Sequence, residues 1–355
     1  MQRLLTTAKW DVDAVRNELR CCVGEWFGDP HSIIVVSQAA FTKRGRHSAG
    51  VKQQYNEDSQ RVENCQLGLF LGYATPYRTI LIDRELYLPE EWRHDNERRT
   101  RARIPETAFA SRSALAIRMI DRVLDSELPM SWISTAELAD TGPAVHEWLT
   151  IRQVPHIAEI RPSAPVQVQR GQRMVRASAR ELLRQAPTRQ WQQLWQRGRF
   201  WARVLLRTDS TRDSATWLVV QRMRDRRQDR YYVASGPAGT ALAELARAAQ
   251  AAGGVKTALA RAKDRVGLDH YEARRYEAWY RHVTLALFAD ALLEAHTHRP
   301  VPALGNGVGN GLANGQPAGQ NGYHTSQTMQ GARGRCLHHP TRSPAIMPAA
   351  IMPAR

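Results

Sequence analysis

The chain has 355 residues, 43% of them hydrophobic, enough to bury a sizeable core and length for about two or three domains. Its formal charge is +16 with a pI near 10.3, a balance that attracts polyanions. Four cysteines (Cys21, Cys22, Cys65, Cys336) exclude a disulfide framework, and apolar runs no longer than the likes of Ile33–Val36 exclude a membrane-spanning helix, which needs about 20 residues. The opening Met1-Gln-Arg-Leu-Leu has no signal-peptide pattern, so a cytoplasmic location is expected by default.

Residues 3–27 read as one amphipathic helix, with Leu4, Trp10, Val12, Val15, Leu19 and Cys22 near helical spacing and Asp11 placed to cap its main part. His31 to Ser37 is short, β-branched and continuous, as in a strand buried on both faces, and Ser37 is expected to end it. Gln66–Ala74 and Tyr77–Asp83 form two more strands, joined as a hairpin through Thr75-Pro76. A polar, Arg-rich loop is expected from Glu90 to Thr107. Ser111–Leu128 is a helix with Leu115, Met119, Ile120, Val123 and Leu124 on one face. Ser131–Thr135 is a fourth strand, Pro143–Arg152 a helix and His156–Ile160 a fifth strand. That order, an antiparallel hairpin beside parallel strands with helices between them, belongs to an α/β sheet.

Residues 161–235 interrupt the alternation with a short helix at Ser178–Gln185 and strands at Phe200–Leu206, Ala215–Gln221 and Arg230–Ser235, the last two linked by a loop at Arg224–Asp229. Between 161 and 230 there are 17 Arg and no Lys against five acids. Such a field binds polyanions, and an Arg-favouring codon bias on a solvated face would produce the same count. Trp191, Trp195, Trp201 and Trp217 lie among Arg197, Arg199 and Arg203. Aromatics among Arg can stack bases, although Trp in strands more often packs a core. Gly239–Lys263 is helical around a weak point at Gly253-Gly254. Asp269–Ala295 is a second long helix, with Tyr276, Trp279, Tyr280, Val283, Leu287 and Leu292 as core contacts. From about 299 the chain is rich in Gly, Asn and Pro and is expected to be disordered. Neither Cys336-Leu-His-His339 nor His296-Thr-His298 has the further ligands a metal site requires.

Several long strings carry a resemblance. Phe41-Thr-Lys-Arg-Gly45, Arg61-Val-Glu-Asn-Cys-Gln-Leu-Gly-Leu-Phe-Leu-Gly-Tyr-Ala74, Asp83-Arg-Glu-Leu-Tyr-Leu-Pro-Glu-Glu-Trp92 and Gly267-Leu-Asp-His-Tyr-Glu-Ala-Arg274 resemble the DDE transposases of bacterial insertion sequences, in the branch numbered seven hundred and one, a relative of the family numbered four. The likeness covers roughly residues 1–295. It implies a ribonuclease-H-like transposase core with a mainly β insertion and helical ends: an N-terminal helical segment at 1–29, the first part of the core at 30–160, a basic insertion at 161–235, helical completion of the core at 236–298 and a disordered tail at 299–355. It also implies that a further helical region, which helps to recognise DNA, would precede the first helix, so the chain reads as N-terminally truncated.

The resemblance further implies three catalytic acids, and this chain lacks them. The first would open a D-E-T-G-F segment that reads Ser37-Gln-Ala-Ala-Phe41 here. The second would lie in W-V-T-A-D-E, which reads Trp132-Ile-Ser-Thr-Ala-Glu137. The third would be the first Glu of R-W-x-I-E-E-x-F, and counting back from Ala262-Lys263 places Lys256 there. Family members hold two divalent metal ions, Mg²⁺, between these carboxylates. With Ser37, Ala136 and Lys256 in their places, no cofactor and no strand cleavage are expected here. Duplex DNA remains the expected partner through phosphate contacts, with Lys43, Arg44, Arg46, Lys52, Arg197, Arg199, Arg203, Lys263 and Arg274 as candidates. A homo-oligomer, or a hetero-oligomer with an intact relative, is the assembly the resemblance implies. Two alternatives stand beside this reading: an active enzyme using displaced acids (Asp83, Glu137, Asp269, Glu272), and a decaying remnant without function.

Overall fold

Asp11 splits the first helical stretch in two. Its carboxylate accepts from the backbone N–H of Asp13 (2.8 Å) and Ala14 (3.1 Å) while its own backbone is extended, the geometry of an N-cap. Helices α1 (Gln2–Thr6) and α2 (Val12–Phe27) are therefore separate, where the spacing predicts one helix. The computed structural model describes residues 2–56, 59–136, 138, 142–171, 173–185, 191–196, 198–222, 229–272 and 274–297. The tail from 299 and most of the loop at 224–229 lie outside them.

Strand β1 (Ile33–Thr42) pairs antiparallel with β3 (Arg61–Ala74) along its whole length, from Ile33 opposite Ala74 to Thr42 opposite Cys65. This partner carries β1 well past Ser37, which sits mid-strand opposite Phe70 rather than at the strand's end. Gln38-Ala-Ala has little strand propensity of its own, so pairing and burial decide its conformation. β2 (Lys52–Asn56), absent from the sequence reading, and β4 (Thr79–Tyr87) share the other edge of β3. The β3–β4 hairpin closes at Thr75, whose N–H donates to the Arg78 carbonyl at 2.8 Å. The expected Arg-rich loop instead contains two short helices, α3 (Glu91–His94) and α4 (Asn96–Ala102). Asp95 caps α4, and buried Trp92 donates to the Val51 carbonyl at 2.9 Å with Arg98 stacked 4.0 Å from its ring centroid.

Ser111 caps α5 (Arg112–Leu124), which buries Leu115, Met119, Ile120 and Val123. β5 (Trp132–Ser134) runs parallel to β1, and β6 (His156–Ile160) parallel to β5, with α6 (Gly142–Ile151) between them. The stretch at 161–235 is only partly an appendage. β9 (Gln192–Gln196), β10 (Arg199–Asp209), β11 (Ser214–Arg222) and β12 (Arg230–Pro237) continue the main sheet, because β12 pairs antiparallel with β6. Among the described residues the result is one ten-stranded mixed sheet, ordered β2-β3-β1-β5-β6-β12-β11-β10-β9, with β4 also on β3. β7 (Pro165–Arg170) and β8 (Arg173–Ser178) form a separate ribbon, followed by α7 (Ala179–Gln185).

Three helices complete the fold: α8 (Leu242–Gln250), α9 (Ala252–Val266) and α10 (Tyr276–Thr297). The break between α8 and α9 falls at Ala251, just before the glycine pair. α9 lays Val255, Ala258, Leu259 and Ala262 on the sheet. Gly72 makes this approach feasible, since a Cβ there would sit 2.5 Å from Val255 Cγ2. α10 starts at Tyr276, not Asp269, because Gly267 ends α9 in the left-handed conformation and Leu268 and Tyr271 turn inward. Trp279, Val283 and Leu287 are buried as expected, whereas Leu292 is 46% exposed. No described helix is long and apolar enough to cross a membrane.

Candidate active site and its basic rim

The parallel register Ile33–Trp132, Ile34–Ile133, Val35–Ser134, continued past the end of β5, sets Ala136 level with Ser37. Val35, Ser37, Phe70 and Gly72 point to one face of the sheet, because directly paired residues share a face. Val255 of α9 packs on that face against Gly72. Lys256 is the next residue and lies on the exposed side of α9. Lys263, about 10 Å further along the helix axis, brings its Nζ to 5.5 Å from the Phe41 ring centroid. Helix α9 thus runs over β1 in the direction of the strand.

Ser37 is 0% exposed and Ala136 4%. The Ser37 hydroxyl is buried with no hydrogen-bond partner, and so are the hydroxyls of Ser134 and Thr135 on the neighbouring strand. Ala136 and Leu138 belong to the main hydrophobic cluster. Positions 37 and 136 therefore offer one neutral hydroxyl and one methyl group where hard divalent cations need several oxygen ligands, preferably carboxylates. The residues present do not fit Mg²⁺. Among the described residues no group of three or more His, Cys, Asp or Glu could hold a metal ion.

The two acids of β4 are committed elsewhere. Asp83, on β4, is fully buried and accepts from Arg122 Nε (2.9 Å) and Nη2 (3.0 Å), with Arg16, Arg20 and Arg84 within ion-pair range. These guanidinium groups hold its carboxyl below the usual value, although burial alone would raise it. Glu85 accepts from Arg122 (2.8 Å) and from the Tyr280 hydroxyl (2.7 Å). Asp269 and Glu272 are exposed in the loop after α9. Glu137 lies outside the described residues.

Several candidate phosphate contacts gather at the C-terminal end of β1. Arg44 and Arg46 are exposed in the turn that follows the strand. The Arg46 carbonyl accepts from Arg98 (2.7 Å), and the Ala49 N–H donates to the carbonyl of exposed Arg274 (3.0 Å). Lys263 approaches from α9. Lys43 donates to the Tyr271 carbonyl, and burial pulls its pKa down against the pull of Asp269 and Glu272. It anchors the 267–272 loop. Lys52 pairs with Glu91. Arg199 and Arg203 stand apart, five strand steps across the sheet on β10, or about 24 Å at ~4.8 Å per step. Arg203 is engaged by Gln192, the Thr240 carbonyl and the Trp217 ring. Arg197 lies outside the described residues. Trp201 and Trp217 are core residues, Trp191 packs against the smaller cluster, and Trp195 is 57% exposed.

A histidine pair, fully buried His156 beside half-buried His146, matches no sequence motif. His156 Nε2 lies 2.6 Å from His146 Nδ1, while His156 Nδ1 faces the Val154 carbonyl at 2.7 Å. Loss of hydration lowers the pKa of His156 to about 3 and that of His146 to about 4. Nine intervening residues and a helix-to-strand change conceal the pair from any motif.

A large mixed sheet with helices packed on it is consistent with a DDE nuclease fold. Residues 1–214 match the family model described as DDE superfamily endonuclease, and the chain belongs to that family. No curated protein matches the chain.

Proposed function

We propose that this chain is a transposase-derived DNA-binding protein that does not cleave strands. The core is read as ribonuclease-H-like, of the insertion-sequence branch numbered seven hundred and one, with residues 161–235 as a basic insertion. One observation carries the reading: Ser37 on β1 and Ala136, two residues past the end of the adjacent parallel strand β5, are both buried and both without a carboxylate. Lys256 adds a positive charge at the third position. A like charge about 4 Å from a metal ion costs several kcal/mol at intermediate dielectric. Of the acids the displaced-acid alternative would use, Asp83 is already held by arginines, whereas Asp269 and Glu272 are exposed in the loop after α9.

DNA binding is supported by the net charge and by the rim of Arg44, Arg46, Lys263 and Arg274 beside the vacated positions. Four phosphate contacts correspond to a log–log salt slope of about −3.6, hence roughly a 150-fold loss of affinity over a fourfold rise in salt. The test is fluorescence anisotropy on duplexes carrying the terminal inverted repeats of an intact relative's element. Arg44→Ala and Arg46→Ala should each flatten the slope by about 1. A flat salt response in the unaltered protein would leave codon bias as the source of the Arg excess.

A further inference from the structure

A pocket of about 480 Å³ opens at the opposite end of β1 from the basic rim. It is bounded by the β3–β4 turn, the end of β9, the junction of α8 and α9, and α10. Arg78, Arg247 and Arg261 line it, with Glu294 as its one lining carboxylate. That carboxylate is already met by Arg265 (3.0 Å) and Arg261 (3.4 Å), and Arg261 also binds Asp290 at 2.7 Å. Two guanidinium groups, those of Arg78 and Arg247, have no acid within ion-pair range among the described residues. Arg247 is instead held by neutral oxygens, the His31 carbonyl and the Ser131 hydroxyl (3.3 Å). Arg78 rests on the Phe27 ring (5.2 Å) and donates to the Glu294 carbonyl (3.4 Å). Two fixed, uncompensated positive charges thus face one concavity.

Two further features point the same way. The start of α9 borders the pocket through Ala251 and Gly254, and its first turn carries no acid to offset the arginines. Gln196 contributes an amide whose Oε1 is buried without a partner. A half-turn of that amide presents Nε2 instead, which a ligand oxygen would satisfy.

We propose that this pocket binds a phosphate group, either of a small phosphorylated compound or of a 5′-phosphorylated DNA end. Planar guanidinium forks match phosphate oxygens, and Arg is suited to that recognition because its charge is permanent. The site lies beyond the DNA-binding reading and does not depend on it, since none of its residues belongs to the rim at the other end of the strand.

The experiment titrates the full chain, in chloride buffer, with inorganic phosphate by calorimetry, then with short duplexes whose ends are 5′-phosphorylated or 5′-hydroxyl. The expected results are saturable phosphate binding and at least a tenfold loss in Arg247→Gln and in Arg78→Gln. Should Arg247→Gln loosen the strand ends it ties together, Thr257→Glu places a negative charge at the exposed pocket wall and should abolish phosphate binding with an unchanged urea midpoint. A tenfold preference for phosphorylated ends that Arg247→Gln removes assigns the site to DNA ends; equal affinity for both ends, with inorganic phosphate still bound, assigns it to small phosphorylated compounds. Absence of phosphate binding, or binding unchanged in all three variants, overturns the proposal. Arg44→Ala and Arg46→Ala should leave phosphate binding intact, so failure of the pocket and failure of the DNA-binding reading are read separately.

Discussion

Replacing Asp83 with Asn removes the anion from a buried group of four guanidinium ions while nearly preserving its shape. Asp83 has 0% exposure. Its two oxygens take the paired Nε and Nη2 donors of Arg122, and Arg20 and Arg84 each approach to 3.6 Å and Arg16 to 3.9 Å. The partners do not share the benefit equally. Burial pulls the Arg16 guanidinium down to about 10 despite Asp83, whereas Arg122, with the tight paired geometry, is raised. The cost therefore arises mainly from Arg122 and from whichever neighbours are left without a counter-charge. Breaking a buried pair by removing one partner costs about 3–5 kcal/mol. Against a typical total of about 5–15 kcal/mol, that is a large fraction. Urea denaturation of Asp83→Asn should show a loss of about 3–5 kcal/mol, and its melting temperature should fall on the order of 10 °C. Because the folded-state pKa of Asp83 lies below its ordinary value of 3.8, its contribution is present above that value and is lost as pH falls through the folded pKa. A loss under 1 kcal/mol would mean that water, not Asp83, compensates the arginines around it.

The histidine pair sets a different acid window. With pKa values lowered to about 4 and about 3 in the fold against 6.5 when free, the unfolded chain binds more protons between those values, so stability falls as pH drops below 6.5. By pH 4.5 the loss should be about 2–5 kcal/mol, and His146→Gln should reduce it in denaturation curves taken at stepped pH; a pH-independent midpoint from 7 to 4.5 would contradict the pair's burial. Gly72→Val should cost about 1–3 kcal/mol through collision with Val255, read by thermal unfolding, and an unchanged midpoint would mean α9 does not lie against β3 there. Ser37→Ala removes an orphaned hydroxyl and should raise stability by about 1 kcal/mol; destabilisation would indicate that the hydroxyl has a partner such as an ordered water.

The sheet's first half was legible because its strands are locally marked. The β-branched run Ile33–Val36 and the Thr75-Pro76 turn specify β1 and its hairpin neighbours without tertiary help. The extension of β1 through Gln38-Ala-Ala was not legible, since only the register with β3 holds those residues in a strand. The same reason hid β2 and β9, edge strands rich in Gln and of weak propensity. The joining of β12 to β6, which turns an apparent insertion into part of the main sheet, depends on a pairing between distant segments that no periodicity encodes. At the site, the adjacency of Ser37 and Ala136 follows from the strand order the sequence suggested. Their complete burial does not, and neither do the histidine pair or the arginine-lined pocket, which are assembled from separate elements.

The most direct test of the account is a cleavage assay. Purified protein is incubated with Mg²⁺ or Mn²⁺ and duplex DNA bearing the terminal inverted repeats of an intact relative's element, and the strands are resolved on a denaturing gel. The account predicts intact DNA at every metal concentration, because Ser37, Ala136 and Lys256 supply no carboxylate. Metal-dependent nicking that disappears in Glu272→Ala or Glu137→Ala would contradict it and place the catalytic centre on displaced acids.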